Sequence, residues 1–350
     1  MAYDGVIDDF RAIRALRTPS RVPCCALSEE FDVKWHGRYT YEEFCTDGGK
    51  MSEVLGAAVD EFGYDWAWVQ IDDCFEFEPL GVRCRGEGNI VRATVGYLPA
   101  TRDGLGALKR LDPARDGRMP EKLGAIRALR DRYGETVLVV GSCAAPFSAV
   151  GLTWGIEQSM FLLVDDAPLL HDAMAYWAEF YKRYIRAQRD AGAHAVWLGD
   201  CNAFGGLLSA RHYAEHVLPQ TRELVRYAEE ELGVMVWLHN SEIALPNIRG
   251  HAPLGVSIEN VGPAADIAEV REGTAGAQAI SGNLDPIEVL WRGTPEQIAC
   301  EVTRIMSACK PGGAFAMNTG EMVPRGTPAE NMRAYTETVR AQAEYTEVVA

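Results

Sequence analysis

Eight short apolar runs, separated by longer segments of helical period, limit what this chain can fold into. They fall at 22–27, 66–71, 137–141, 195–198, 234–238, 255–258, 277–280 and 313–317, and are rich in Val, Ile, Leu and Trp. Between them, stretches such as 168–191, 210–231 and 295–309 repeat their apolar residues with helical spacing. Strands alternating with helices build a parallel sheet, because each crossover must carry the chain back to the same end of the sheet before the next strand begins. Eight such units close into an α/β fold of the (β/α)8, or TIM-barrel, class. A chain of 350 residues with 47% hydrophobic content can bury that core as one domain over 1–350.

The longest irregular region, about 75–113, follows the predicted second strand and is crowded with glycines and charges (PLGVRCRGEGNIVRATVGY). An insertion of that length in a βα loop shapes a pocket or a lid. The formal charge of −16 argues against nucleic acid or an anionic membrane surface, both of which need a basic footprint. The nine cysteines include no CxxC pair and no secreted-type framework, as expected in a reducing compartment. The N-terminal MAYDGVIDDFRAIRAL carries acids where a signal peptide needs a basic start and an apolar run. No stretch reaches the roughly 18–20 apolar residues of a membrane span. The expectation is a cytoplasmic soluble protein whose partner is a small molecule or another protein.

In a barrel of this kind the reacting groups project from the C-terminal strand ends. Those positions hold Glu29, Glu30 and Asp32, then Asp72 and Asp73, Ser142 and Cys143, and Asp200, Cys201 and Asn202. His239, Asn240, Ser241 and Glu242 follow the fifth run, and Glu259, Asn283, Asn318 and Glu321 follow the last three. Each alone reads equally well as a helix cap or a loop-binding group. Several carboxylates and an imidazole around one mouth repel one another unless protons or a cation are shared, which points to a metal site. Of the seven histidines, His239 ends the run VMVWLH and is placed to enter the mouth, as a ligand, an acid–base group or a structural hydrogen-bonding group. Side chains alternate along a strand, so only one of Asp72 and Asp73 faces the axis. Cys201, in GDCNAFGG, reads as a packing or substrate contact, since surrounding acids oppose a thiolate. Trp35, Phe75, Phe77, Phe147, Trp154 and Phe204 suit either packing or a clamp on an aryl ring. No phosphate-cradling glycine motif is present.

Taken in order, FGYDWAWVQIDD, GSCAAPFS, AGAHAVWLGDCNAFGGLLSARHYAEHVLP, VMVWLH, ISGNLDP, WRGTPEQI and GGAFAMNTGEMVPRGTPAENMRAY cover most of the chain. In these pieces the chain resembles the uroporphyrinogen decarboxylase-like superfamily, in particular its corrinoid-dependent methyltransferase branch. Decarboxylases of that superfamily open with an arginine-rich RPPVWxMRQAGRY motif that binds the acetate groups of a porphyrinogen. Here the place reads RVPCCALSEEFDVK, with acids for arginines, so porphyrinogen decarboxylation is not expected.

The methyltransferase branch resembles a zinc enzyme with ligands from an HxC motif after the fifth strand and a cysteine after the eighth. The first motif here reads His239-Asn240-Ser241 and the second ends in Glu321. Oxygen in place of sulfur makes a harder site, compatible with zinc, with another divalent ion, or with no metal. The resemblance thus implies a methyltransferase that moves a methyl group from a small methoxylated aryl ether to the cobalt of a corrinoid carried by a partner protein. His239, Glu321 and Asp200 would be catalytic. His239, Glu321 and Glu259 would hold the metal, and Asp72, Cys201, Asn202, Glu259, Glu29 and Phe147 would surround the substrate. A methylcobalamin:thiol methyltransferase, a methylated amine as donor, a decarboxylase-like lyase and a noncatalytic binding barrel stay open, as does a homodimer.

Overall fold

The computed structural model describes residues 3–345. In chain order the strands are β1 (Trp66–Trp68), β2 (Arg83–Arg85), β3 (Ala93–Gly96), β4 (Leu138–Ala144), β5 (Ala195–Gly199), β6 (Met235–His239), β7 (Ile258–Asn260), β8 (Ile280–Leu284) and β9 (Phe315–Thr319). Seven of them form one parallel sheet in the order β1-β4-β5-β6-β7-β8-β9, with β2 and β3 as a separate antiparallel hairpin. The predicted first run, 22–27, makes no regular strand, because Pro23 has no N–H to give a ladder. It nevertheless lies between the sheet's two edges. Cys24 bridges Met317 of β9 in parallel, Met317 N–H donates to Pro23 O (2.9 Å), and Asp65 N–H, just before β1, donates to Cys24 O (2.9 Å).

Most of the strands run further toward their C-terminal ends than the apolar runs indicate: 255–258 becomes Ile258–Asn260, 277–280 becomes Ile280–Leu284, and 313–317 becomes Phe315–Thr319. The physical reason lies inside the curled sheet. Asn260, Ser281, Asn283, Asn318 and Thr319 are all buried, so the ladder continues past the point where hydrophobicity stops. Below this polar layer the interior is filled by indoles. Trp66 and Trp237 have ring centroids 4.8 Å apart, Trp68 and Trp197 5.3 Å, and Trp66 and Trp68 stack at 6.0 Å. Both polar ends are satisfied where they are deepest: Trp66 Nε1 donates to Ala26 O (3.0 Å) and Trp237 Nε1 to Ser281 Oγ (2.9 Å).

Helices cover the outer face. The longest, Ala167–Asp190, starts at Asp166, whose carboxylate accepts the Leu169 N–H (3.1 Å), and buries Leu170, Met174, Trp177, Tyr181 and Ile185 at helical spacing. Near its end Gln188 Oε1 accepts the Ser142 N–H (2.9 Å), which ties the helix to β4. Among the described residues no single helix is long and apolar enough to cross a membrane.

The 75–113 region is not structureless. It holds the β2–β3 hairpin and a short helix, Arg102–Gly106. Its base is anchored by a charge cluster built on the buried Asp72, in which the half-buried Arg118 donates through Nη2 to Asp72 Oδ1 (2.8 Å) and Glu78 Oε2 (2.9 Å), while Arg92 Nε donates to Glu78 Oε1 (2.8 Å). Asp72 was expected at the substrate; its side chain is fully buried and claimed by Arg118. Removing one partner of a buried pair strands the other charge without water. Arg118→Ala is therefore expected to lose about 3–5 kcal/mol of stability, read by urea unfolding; a loss below about 1 kcal/mol, the range of surface pairs, would show that the pair is not effectively desolvated.

Candidate active site

A cavity of about 170 Å³ opens above the indoles. Its walls alternate between aromatic and ionisable groups: Trp68, Phe75, Phe77 and Trp197 on one hand, Asp73, Glu76, His239 and Glu321 on the other, with Cys201 and Asn202 at the end of β5. Parity along the strands puts them there. Trp237 faces inward and so, two residues on, does His239, while Trp197 is followed inward by Gly199 and Cys201.

The His239 ring stacks on Trp197, with centroids 4.9 Å apart and planes 30° from parallel. Its Nε2 lies 3.3 Å from Glu321 Oε1, and the Ser241 hydroxyl donates to that same oxygen. Burial works to lower the His239 pKa, but the Cys201 sulfur and the Glu321 carboxylate raise it to about 10. Burial works to raise that of Glu321, yet the hydrogen bond and charge of His239 bring it below the usual carboxylate value. His239, Ser241 and Glu321 thus stand at the three positions that the resemblance assigns to zinc ligands. They do not fit zinc as arranged, because the hydroxyl and the ring are turned onto the carboxylate instead of toward a shared point. Among the described residues no three His, Cys, Asp or Glu side chains are grouped to hold a metal ion.

A second ionisable group occupies another wall. Glu76 is buried, its Oε2 accepts the Tyr181 hydroxyl (2.7 Å), and its Oε1 has no hydrogen-bond partner. Burial, partly offset by the nearby Lys122 charge, raises its pKa to about 7. Lys122 is itself fully buried. Its ammonium donates to Ser142 O (2.8 Å), sits 4.4 Å from the centre of the Phe75 ring, and has its pKa lowered to about 8 by burial despite Glu76. Asp73 is exposed to the cavity yet surrounded by protein, and burial followed by the charge of Asp72 raises it to about 6.

The structure brings together His239, Glu321, Cys201 and Asn202 from the expected set and separates the others. Glu259 pairs in register with Leu238, one residue out of phase with His239 and Asn260, so it points to the outer face of the sheet. There it meets His251 Nδ1 (2.8 Å) and Gln278 Nε2 (2.9 Å), too well occupied and on the wrong side to join His239 and Glu321 on a metal. Asp200 is buried behind the cavity wall; its Oδ1 accepts from Ser148 Oγ (2.8 Å), and burial raises its pKa to about 6. Glu29 lines a separate void of about 10 Å³ with Ser28, Asp32 and Tyr64, and Phe147 is wholly packed. Of the aromatic candidates only Phe75 and Phe77 reach the cavity. Trp68, Trp197 and Glu76 had not been singled out. Of the two indoles Trp197 carries a legible signal, since inward parity read back from His239 selects Trp237, and Trp197 pairs with it in register.

The uroporphyrinogen decarboxylase (URO-D) family model matches residues 8–342. A methylated-thiol–coenzyme M methyltransferase of Methanosarcina mazei is 28% identical over 292 residues, 83% of this chain and 76% of that protein. The methylcobamide:CoM methyltransferase MtbA of the same organism is 26% identical over 343 residues, 93% and 96% of the two chains. Uroporphyrinogen decarboxylases match at comparable identity. In fold, the chain is similar to a solved methyltransferase from Methanosarcina mazei, with TM-score 0.86 and 18% identity over 96% of this chain and 98% of the other.

The raised carboxyl of Glu76 sets a pH dependence. Because the folded state holds this proton more tightly than the unfolded chain, its cost is absent below the unfolded value near 4.5 and complete above about 7. A rise of that size corresponds to about 3 kcal/mol. Glu76→Gln is expected to gain stability over the parent as pH rises from about 4.5 to 8, read as the difference in urea midpoints; a difference independent of pH would mean that Glu76 titrates normally.

Proposed function

This chain belongs to the uroporphyrinogen decarboxylase family, and from that premise we propose that it is the methyltransferase of a corrinoid-dependent system that demethylates a small methoxylated arene. The observation that carries the reading is one cavity joining aromatic walls to two distinct proton-bearing groups, His239 and Glu76. An apolar cavity of about 150 Å³ takes a benzene-sized ring, and the space here is about 170 Å³. The fold would be one (β/α)8 domain, with 22–27 as its first strand. Its relatives' names, one acting on a methylated thiol and one on a methylcobamide, support methyl transfer as the chemistry.

In this reading the donor ring lies between Phe75, Phe77, Trp68 and Trp197, with its ether oxygen toward the ionisable groups. Cys201 and Asn202 bound the slot. The methyl group passes to cobalt(I) of a corrinoid on a partner protein, and the C–O bonding pair stays on oxygen. A phenoxide is a poor leaving group unless that charge is met. His239 shares its Nε2 proton between Glu321 Oε1, 3.3 Å away, and the ether oxygen, and so stabilises the charge that develops there. Glu76 supplies the proton, since an acid near pH 7 gives the best compromise between being protonated and being able to donate. Exposed Leu207, Ile243, Ile287, Trp291 and Met322 follow β5, β6, β8 and β9 around the mouth and offer an apolar rim for the corrinoid protein.

The test is a mixture of the purified protein, cobalt(I) cobalamin and a methoxyphenol, followed by the absorbance change on methylation. Glu76→Gln and His239→Ala are each expected to slow the reaction by about 10²–10⁴-fold. Consumption of methylcobalamin by a thiol, with no transfer from any methoxylated arene, would favour the thiol methyltransferase.

A further inference from the structure

The side of the His239 ring away from the cavity rests on a chain of buried amides whose orientations follow from one another. Thr319 N–H donates to Asn318 Oδ1 (2.9 Å), which identifies the other end of that amide as nitrogen. Asn318 Nδ2 then donates to Asn260 Oδ1 (3.0 Å), where Ser281 Oγ also donates (2.7 Å). Asn260 is therefore turned with Nδ2 toward Thr319 O (3.2 Å), Gly320 O (3.4 Å) and His239 Nδ1 (3.3 Å). Reversing it would set its oxygen against two carbonyls and its NH2 against the NH2 of Asn318. Both asparagines are fully buried, so no solvent relieves a mismatch.

An amide nitrogen donates and does not accept. A proton on His239 Nδ1 would face hydrogens already there, whereas a lone pair on Nδ1 receives one. We infer that Asn260 is a positioning residue that decides which proton the His239 ring keeps when the imidazolium gives one up, retaining the one on Nε2 that faces Glu321, and that this makes the strand-end site a hydrogen-bond donor instead of a metal ligand. A histidine that binds metal through one nitrogen gives its other N–H to a carboxylate, a carbonyl or water; here the partner on that side is itself a donor. Zinc at Nε2 would leave the ring's one remaining proton on Nδ1, against the Asn260 NH2. The inference rests on the proposed function only for the ring's part in the reaction, since the tautomer and the metal preference are read independently of methyl transfer.

Two measurements on the full chain test it. In protein carrying ¹⁵N-labelled histidine, the signal that disappears in His239→Gln is followed as pH is raised until the ring is neutral. The neutral ring should show a protonated Nε2 and an unprotonated Nδ1; a neutral ring protonated on Nδ1 overturns the inference. In zinc titrations, Asn260→Asp should bind about 10- to 100-fold more tightly than the parent, because a carboxylate facing Nδ1 holds a proton there and frees Nε2. Stoichiometric zinc in the parent that survives dialysis, or a folded Asn260→Asp with unchanged affinity, overturns it. If Asn260→Asp does not fold, the nitrogen spectrum of the parent decides. Failure of methyl transfer with the expected tautomer would count against the proposed reaction alone.

Discussion

Four indoles wedged inside the curled sheet set the depth and shape of everything above them. Trp66, Trp68, Trp197 and Trp237 are all buried, and side chains of this kind bury 150–250 Å² each, about 4–6 kcal/mol apiece at the usual area coefficient. Their packing closes the lower part of the interior and leaves only a shallow chamber at the strand ends. It also gives His239 a flat surface to lie on, Trp197. A ring held by stacking on one face and by hydrogen bonds at both nitrogens has little freedom left, which is what a group directed at one substrate atom requires.

The alternation of apolar runs and helical stretches made the order of strands and helices readable, because that pattern follows from local periodicity alone. Where the strands end was not readable in the same way. Asn260, Ser281 and Asn318 are polar yet buried, and they hydrogen-bond to one another across β7, β8 and β9, a satisfaction that only the assembled sheet supplies. Pro23 had the opposite effect, turning an apolar run into a segment with a single bridge.

Parity separates the site residues that were legible from those that were not. His239 was identified because it closes an unbroken strand, and Glu321 because of its place in the resembling motif. Glu259 and Asp200 also sit at strand ends, but knowing that a residue ends a strand does not say which face it points to when both faces of the sheet are covered. The choice between Asp72 and Asp73 depended on Arg118, 46 positions later. Glu76 and Lys122 carry no local mark at all: a glutamate in a charged insertion and a lysine in a helix read as solvated until the chain around them is in place.

The amide chain behind His239 and the two oxygen donors in front of it belong to different layers. Asn260, Asn318 and Ser281 are wholly buried and tie three strands together, whereas Ser241 and Glu321 are only half-buried, Ser241 bonding to Glu321 and Glu321 facing the histidine. The scaffold therefore ends short of the side chains at 241 and 321. In evolutionary terms this behaves as a socket with one restriction: the side chains at 241 and 321 can change without disturbing the amide chain beneath them, but a change at 321 also removes the carboxylate that faces the buried His239 ring, so the residue at 321 and the charge on that ring must change together.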